Sequence, residues 1–184
     1  LYLRAQDSRL SAEVAQSEAE AALQFSARML EAVDPDVSEG LDTTLVEKMM
    51  ETAVRNAHIE FANQPKALAS VLEQVASGRF YLGQYNESAE IQHRAVELLR
   101  STYGPTSEEF LWANYTHANN LHRSGKTKIA SELLESCVVQ AESTGLRQIE
   151  SNCRRTLAQV YADEGKLDDA HTMVNGAIQI ENEE

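Results

Sequence analysis

Basic residues are scarce in this 184-residue chain: 16 Lys and Arg stand against 29 Asp and Glu, a net charge of −13. A nucleic-acid binder needs a basic face to neutralise phosphates, and a polybasic membrane-surface segment needs the same excess. Neither nucleic acid nor membrane contact by this chain is expected. Two cysteines, Cys137 and Cys153, are too few for a disulfide scaffold, and reduced core thiols are the expected state. Eight Gly exclude a collagen-like rod. Apolar runs extend only a few residues, far short of the ~20 that cross a bilayer. No signal-peptide pattern follows Leu1, and a start at Leu rather than Met reads as a piece of a longer protein.

What is abundant points to helix. The chain is 42% hydrophobic, enough for a core. Its only prolines, Pro35, Pro65 and Pro105, sit in turn-like settings. Between them run segments rich in Ala, Glu, Leu, Gln and Arg, all strong helix formers. No stretch alternates apolar and polar residues as a half-buried strand does. An all-α fold follows, with helices expected near 4–33, 43–62, 66–82, 86–102, 107–123, 127–143, 147–163 and 167–180. Thr44 with Glu47 and Thr106 with Glu109 have capping-box spacing. Gly145 is a plausible stop.

A repeat then emerges. Gly83, Gly125 and Gly165 follow one another at 42 and 40 residues. Seven residues before each stands Ala76, Ala118 or Ala158. Five after stands Ser88, Ala130 or Ala170, and twelve after stands Ala95, Cys137 or Ala177. The next residue is β-branched each time: Val96, Val138, Ile178. Helices that cross closely need small side chains at the crossing and a glycine where the chain reverses. Three agreeing registers predict three stacked helical hairpins.

The pattern resembles the tetratricopeptide repeat (TPR), with Phe80-Tyr81-Leu82-Gly83-Gln84-Tyr85 and Leu157-Ala158-Gln159-Val160-Tyr161 as its best local matches. The period of 42 resembles the extended repeats of kinesin light chains. The resemblance covers about 66–180 and implies a TPR-type helical-hairpin superhelix, an α-α solenoid of about three repeats plus preceding helices. Arg79, Gln92 and His117 depart from it, standing where the family carries large apolar residues. Phe25-Ser26-Ala27-Arg28-Met29-Leu30, Gly40-Leu41-Asp42-Thr43-Thr44-Leu45 and Asn63-Gln64-Pro65 resemble, in their order, a segment of bacterial receptor-like serine/threonine protein kinases. There it joins a membrane helix to the repeats. The organisation expected is an N-terminal juxtamembrane-like helix over 1–33, a loop and helix over 34–65, three hairpins over 66–180 and an acidic tail over 181–184.

No catalytic constellation stands out, no cofactor motif is present, and the kinase catalytic loop and Gly-rich phosphate loop are absent. The fragment is therefore expected to be non-catalytic. The exposed carboxylates read as solvated helix faces. His117 and His122 are five apart, about 500° of helical rotation, so they do not share a face for a metal. The TPR resemblance implies that a protein or peptide lies in a concave groove lined by the first helix of each hairpin. By register, the groove residues are Glu73, Ser77, Phe80 and Tyr81, then Trp112, Tyr115, Asn119, His122 and Arg123, then Asn152, Arg155 and Gln159. Ser70, Ala162 and Asp163 fall at equivalent offsets. Aromatics supply anchors, amides pair with peptide backbone, and Arg pairs with carboxylates. A segment of acidic character is the expected ligand; packing of the aromatics against neighbouring hairpins is the alternative.

An apolar stripe of Leu3, Leu10, Val14, Ala21, Phe25 and Met29 makes the N-terminal helix a candidate for homodimer formation. The resemblance implies a sensor or scaffold region of a membrane-anchored serine/threonine kinase, on the periplasmic or extracellular side. The alternatives are a self-association module without a groove ligand, and a cytoplasmic TPR part of a transcription regulator or signalling-peptide sensor.

Overall fold

The computed structural model describes residues 43–183. Seven α-helices account for them: α1 Thr43–Glu60, α2 Pro65–Tyr81, α3 Tyr85–Tyr103, α4 Glu108–Arg123, α5 Thr127–Thr144, α6 Arg147–Asp163 and α7 Leu167–Asn182. No strand occurs among the described residues, and the fold is all-α. The helix expected near 4–33, with its apolar stripe, lies outside the described residues. Helix α7 runs on to Asn182, into the stretch 181–184 read as an acidic tail.

Two compact units divide the chain after Val75. In the first, Ala53, Ala57 and Phe61 are buried, as are Ala67, Leu68, Val71, Leu72 and Val75 of α2. Pro65 occupies the first position of α2, where a missing N–H costs nothing. In the second unit, each helix from α3 onward packs on the next, and the first helices of the last two hairpins, α4 and α6, also touch.

The hairpin turns are built alike. Gly83, Gly125 and Gly165 have φ of +76°, +83° and +77°. The amide of the glycine bonds the carbonyl three residues back, and the next amide reaches the one five back. These pairs are Gly83–Phe80 with Gln84–Arg79, Gly125–His122 with Lys126–Leu121, and Gly165–Ala162 with Lys166–Tyr161. This is the Schellman arrangement, which satisfies the helix's last carbonyls and needs the left-handed backbone that glycine adopts freely. Gly145 stops α5 in the same way.

The small residues lie where the register puts them. Ala76, Ala118, Ala158, Ser88, Ala130, Ala170, Ala95, Cys137 and Ala177 are all buried. Ser88 is the polar member of this set. Its hydroxyl donates to the Ala76 carbonyl at 2.7 Å and accepts from Asn120 Nδ2 at 2.9 Å. The two polar departures of the first hairpin also reach partners inside. Gln92 donates to the Ala113 carbonyl at 3.2 Å, and Arg79 donates to Gln84 Oε1 at 2.9 Å. The caps differ from expectation. Ser107, not Thr106, caps α4, its hydroxyl accepting from the Phe110 amide. Helix α1 begins at Thr43, so Thr44 lies inside its first turn.

Candidate functional site

The first helices bring some of the expected groove residues together. Trp112 and Tyr115, one turn apart on α4, meet edge to face with ring centroids 5.7 Å apart. Both are half-buried, an arrangement that holds each ring while leaving surface for a partner. At the end of α2, Phe80 packs edge-on against Tyr81 at 6.0 Å and against Tyr85 at 5.1 Å. Tyr81 itself is 84% exposed. Ser77, Arg123, Arg155 and Gln159 are exposed, and Asn119, His122 and Asn152 are half-buried. Glu73 is half-buried in the first unit.

Across the last two hairpins, His122 on α4 is tied to Asp163 on α6, Nε2 to Oδ2 at 2.8 Å. The two arginines of the set are exposed and already have partners within the chain. The Arg155 guanidinium lies 3.3 Å from Glu181 on α7, which also accepts from Ser151 at 3.0 Å. Arg123 stacks over the Tyr85 ring at 5.4 Å. Sequence reasoning does not pick out Tyr85 or Glu181. Tyr85 starts the second helix of its hairpin, directly after the turn, and Glu181 reads as part of the tail. A register drawn along first helices alone misses both.

Arg155 and Gln159 border a hollow of about 500 Å³ with Leu167, His171 and Val174 between α6 and α7. A polar hollow of about 730 Å³ lies on another side of the same hairpin, bordered by Arg147, Glu150, Arg154 and Gly176. There Arg154 pairs with the buried Glu150 at 2.7 Å. A Cβ on Gly176 would stand 3.1 Å from the Arg154 guanidinium, so the glycine makes room for that side chain.

His117 is buried on α4, stacked on His93 at 5.2 Å. Burial, then the charge of His93, lowers its pKa to about 4, so the ring is neutral at physiological pH. Tyr161 donates to Glu135 at 2.7 Å, and burial followed by that bond pushes its phenol up. Among the described residues, no three His, Cys, Asp or Glu side chains are grouped to hold a metal. None of the described helices is long and apolar enough to cross a membrane.

Residues 67–143 match the tetratricopeptide repeat family. No curated protein matches the chain. Among solved structures, it is similar to BtubC (BKLC) from P. vanneervenii, with a TM-score of 0.67 at 16% identity over 93% of this chain and 74% of that one. It is also similar to a protein from Podosopora anserina, described as a kinesin light chain with nearly identical TPR-like repeats. That match has a TM-score of 0.59 at 16% identity, over 99% of this chain and 96% of the other. At such identities the likeness speaks for the fold. With the repeated turns and buried small residues, it shows that the chain has an all-α repeat fold of the tetratricopeptide kind, and such repeats generally mediate contacts between proteins.

Proposed function

We propose that this chain is a non-catalytic module that binds a protein or peptide segment along α4 and α6 and the end of α2. Tyr81, Trp112 and Tyr115 are its anchors. The observation that carries this reading is a set of three large aromatic side chains on first helices, one of them 84% exposed and two half-buried. Partly exposed aromatics of this kind are the residues that dominate binding energy at interfaces. Asn119, Asn152 and Gln159 supply amides that pair with an extended backbone. Arg155 and Arg123 already have internal partners, so the anchors are aromatic rather than cationic, and the segment bound is one that presents apolar side chains. In the parent polypeptide, the resemblance of the segments around Phe25, Gly40 and Asn63 supports a sensor or scaffold role beside a membrane-anchored serine/threonine kinase domain. The self-association reading differs in one observable, a monomer–dimer equilibrium without any ligand.

Trp112 is the chain's only tryptophan, so its fluorescence reports occupancy of this face. Segments selected from a peptide array should shift its emission saturably. Tyr115→Ala should weaken the selected segment by about tenfold or more, the usual cost of losing an aromatic anchor, while leaving the helical signal intact. Unchanged affinity in both Tyr115→Ala and Tyr81→Ala would remove this face as the site. The polypeptide preceding Leu1 tests the kinase setting: ~20 apolar residues with a kinase domain before them are expected, and their absence would overturn it.

A further inference from the structure

Cys137 on α5 and Cys153 on α6 face each other across the junction of the second and third hairpins. Their sulfurs are 2.8 Å apart and neither residue exposes any surface. That gap exceeds the ~2.05 Å of an S–S bond by less than 1 Å. The register shows that the meeting is built into the repeat. Cys137 stands twelve residues after Gly125, and Cys153 twelve before Gly165. At the preceding junction the matching positions are Ala95, twelve after Gly83, and Ala113, twelve before Gly125, both fully buried. By register, each junction places a pair of buried small side chains on a second helix and the next first helix. One junction holds two methyl groups and the other two thiols, with no further cysteine in the chain to compete.

We propose that Cys137 and Cys153 form a disulfide that fastens the second hairpin to the third, with a low-molecular-weight disulfide such as glutathione disulfide as the oxidant. One cysteine thiolate attacks a glutathione sulfur, forming a mixed disulfide and releasing one glutathione thiolate. The other cysteine thiolate then attacks the protein sulfur of that mixed disulfide, forming the Cys137–Cys153 bond and releasing the second. Two glutathione molecules leave carrying the two thiol protons, and the protein loses two electrons to the oxidant. In the folded junction the hydrogen bond from Cys153 to Cys137, and then burial, push the Cys153 thiol up. Both sulfurs are also out of reach there, so the exchange belongs to the chain as it refolds. The bond closes a loop of fifteen intervening residues. It also fixes α6, with Asn152 and Gln159, on the hairpin that carries Trp112.

The test is to refold the 184-residue chain in glutathione buffers of increasing oxidised fraction, then denature it and alkylate the remaining thiols. The expected product takes up no alkyl group, weighs about 2 Da less than the reduced chain, stays monomeric without reductant, and melts roughly 5–10 °C higher. Two alkyl groups at every ratio, glutathione adducts alone, or disulfide-linked dimers would overturn the proposal. Cys137→Ala and Cys153→Ala serve as controls, since alanine already fills the matching sites. Each should lose the oxidation-dependent rise in Tm, and its persistence in either would equally overturn the assignment.

Discussion

His117 shows how one residue couples this fold to pH. Its matching positions in the other hairpins are Val75 and Leu157, both buried apolar residues, so a titratable ring occupies a core site. Burial and then the charge of His93 lower its pKa to about 4, against the raising effect of the Ala89 backbone bond and with a small further lowering by Lys126. Unfolding restores a value near 6.5. The unfolded chain therefore binds more protons between these two values, and stability falls as pH drops through that window. The contribution is fully present above about pH 6.5 and gone below about pH 4. Between pH 7 and pH 5 the loss is about 1–2 kcal/mol, since the ring keeps some contact with solvent. His117→Leu, which copies Leu157, should flatten that part of the profile in urea titrations; an identical slope in the variant would refute the assignment. The third hairpin takes the opposite course at another core position. Glu150 and Arg154 pair where the second hairpin has Phe110 and Asn114. Breaking a buried pair by Arg154→Ala strands a carboxylate and costs more than deleting an exposed pair such as Arg100–Glu97.

At the scale of helices, the junctions are variations on one crossing. Ser88 of α3 and Asn120 of α4 hydrogen-bond at the first junction, where Ala130 and Val160 meet by register at the second. Ser88→Ala strands the buried Asn120 amide and should cost about 1–3 kcal/mol. The double variant Ser88→Ala with Asn120→Val rebuilds the apolar pairing of the later junction, so it should cost less than the sum of the single changes. A double-mutant cycle with zero coupling would deny the contact. The β-branched residue thirteen positions after each turn glycine likewise depends on whether another helix covers it. Val138 is buried, whereas Ile178 at the same register is 50% exposed. A charge at Val138 (Val138→Glu) should cost about 3 kcal/mol or more, and Ile178→Glu less than about 1 kcal/mol; similar losses on denaturant titration would mean that the last hairpin is covered as the second is.

The same comparison explains which features are legible in the sequence. Small residues and turn glycines obey local steric rules, so the hairpins and their crossings can be read from spacing. Burial at Ile178 cannot, because it depends on a neighbour rather than on the residue. Register places Trp112 and Tyr115 one turn apart on α4, and the meeting of their rings follows from that separation. The engagement of Arg155 is hidden because its partner Glu181 lies one helix away, and an ion pair between helices leaves no periodic trace. Ser107 displaces Thr106 as the cap for a similar reason. Both residues have the right chemistry, and the backbone at Ser107, φ −70° and ψ 152°, decides which one faces the free amide of Phe110.

Over the whole molecule, charge is the dominant long-range term. A net charge of −13 makes the folded chain repel itself. Among the described residues the opposing ion pairs are mostly exposed, as at Arg147–Glu183 and Arg155–Glu181, and such pairs contribute only about 0.2–1 kcal/mol each. Salt screens both effects, but it acts over ~10 Å at 0.1 M, so the many distant repulsions are relieved more than the few close attractions. The Tm should therefore rise between about 50 mM and 500 mM sodium chloride at neutral pH. Lowering the pH at fixed salt cannot substitute for this experiment, since it also charges His117. A Tm that falls with added salt would mean that local pairs, not net repulsion, govern stability. The same field acts on a partner: an acidic segment approaches a like-charged surface and should bind more tightly as salt rises, whereas a basic segment should weaken. The sign of the salt dependence, read from Trp112 emission in a titration, thus distinguishes an apolar-anchored basic partner from the acidic one that the arginines alone suggest.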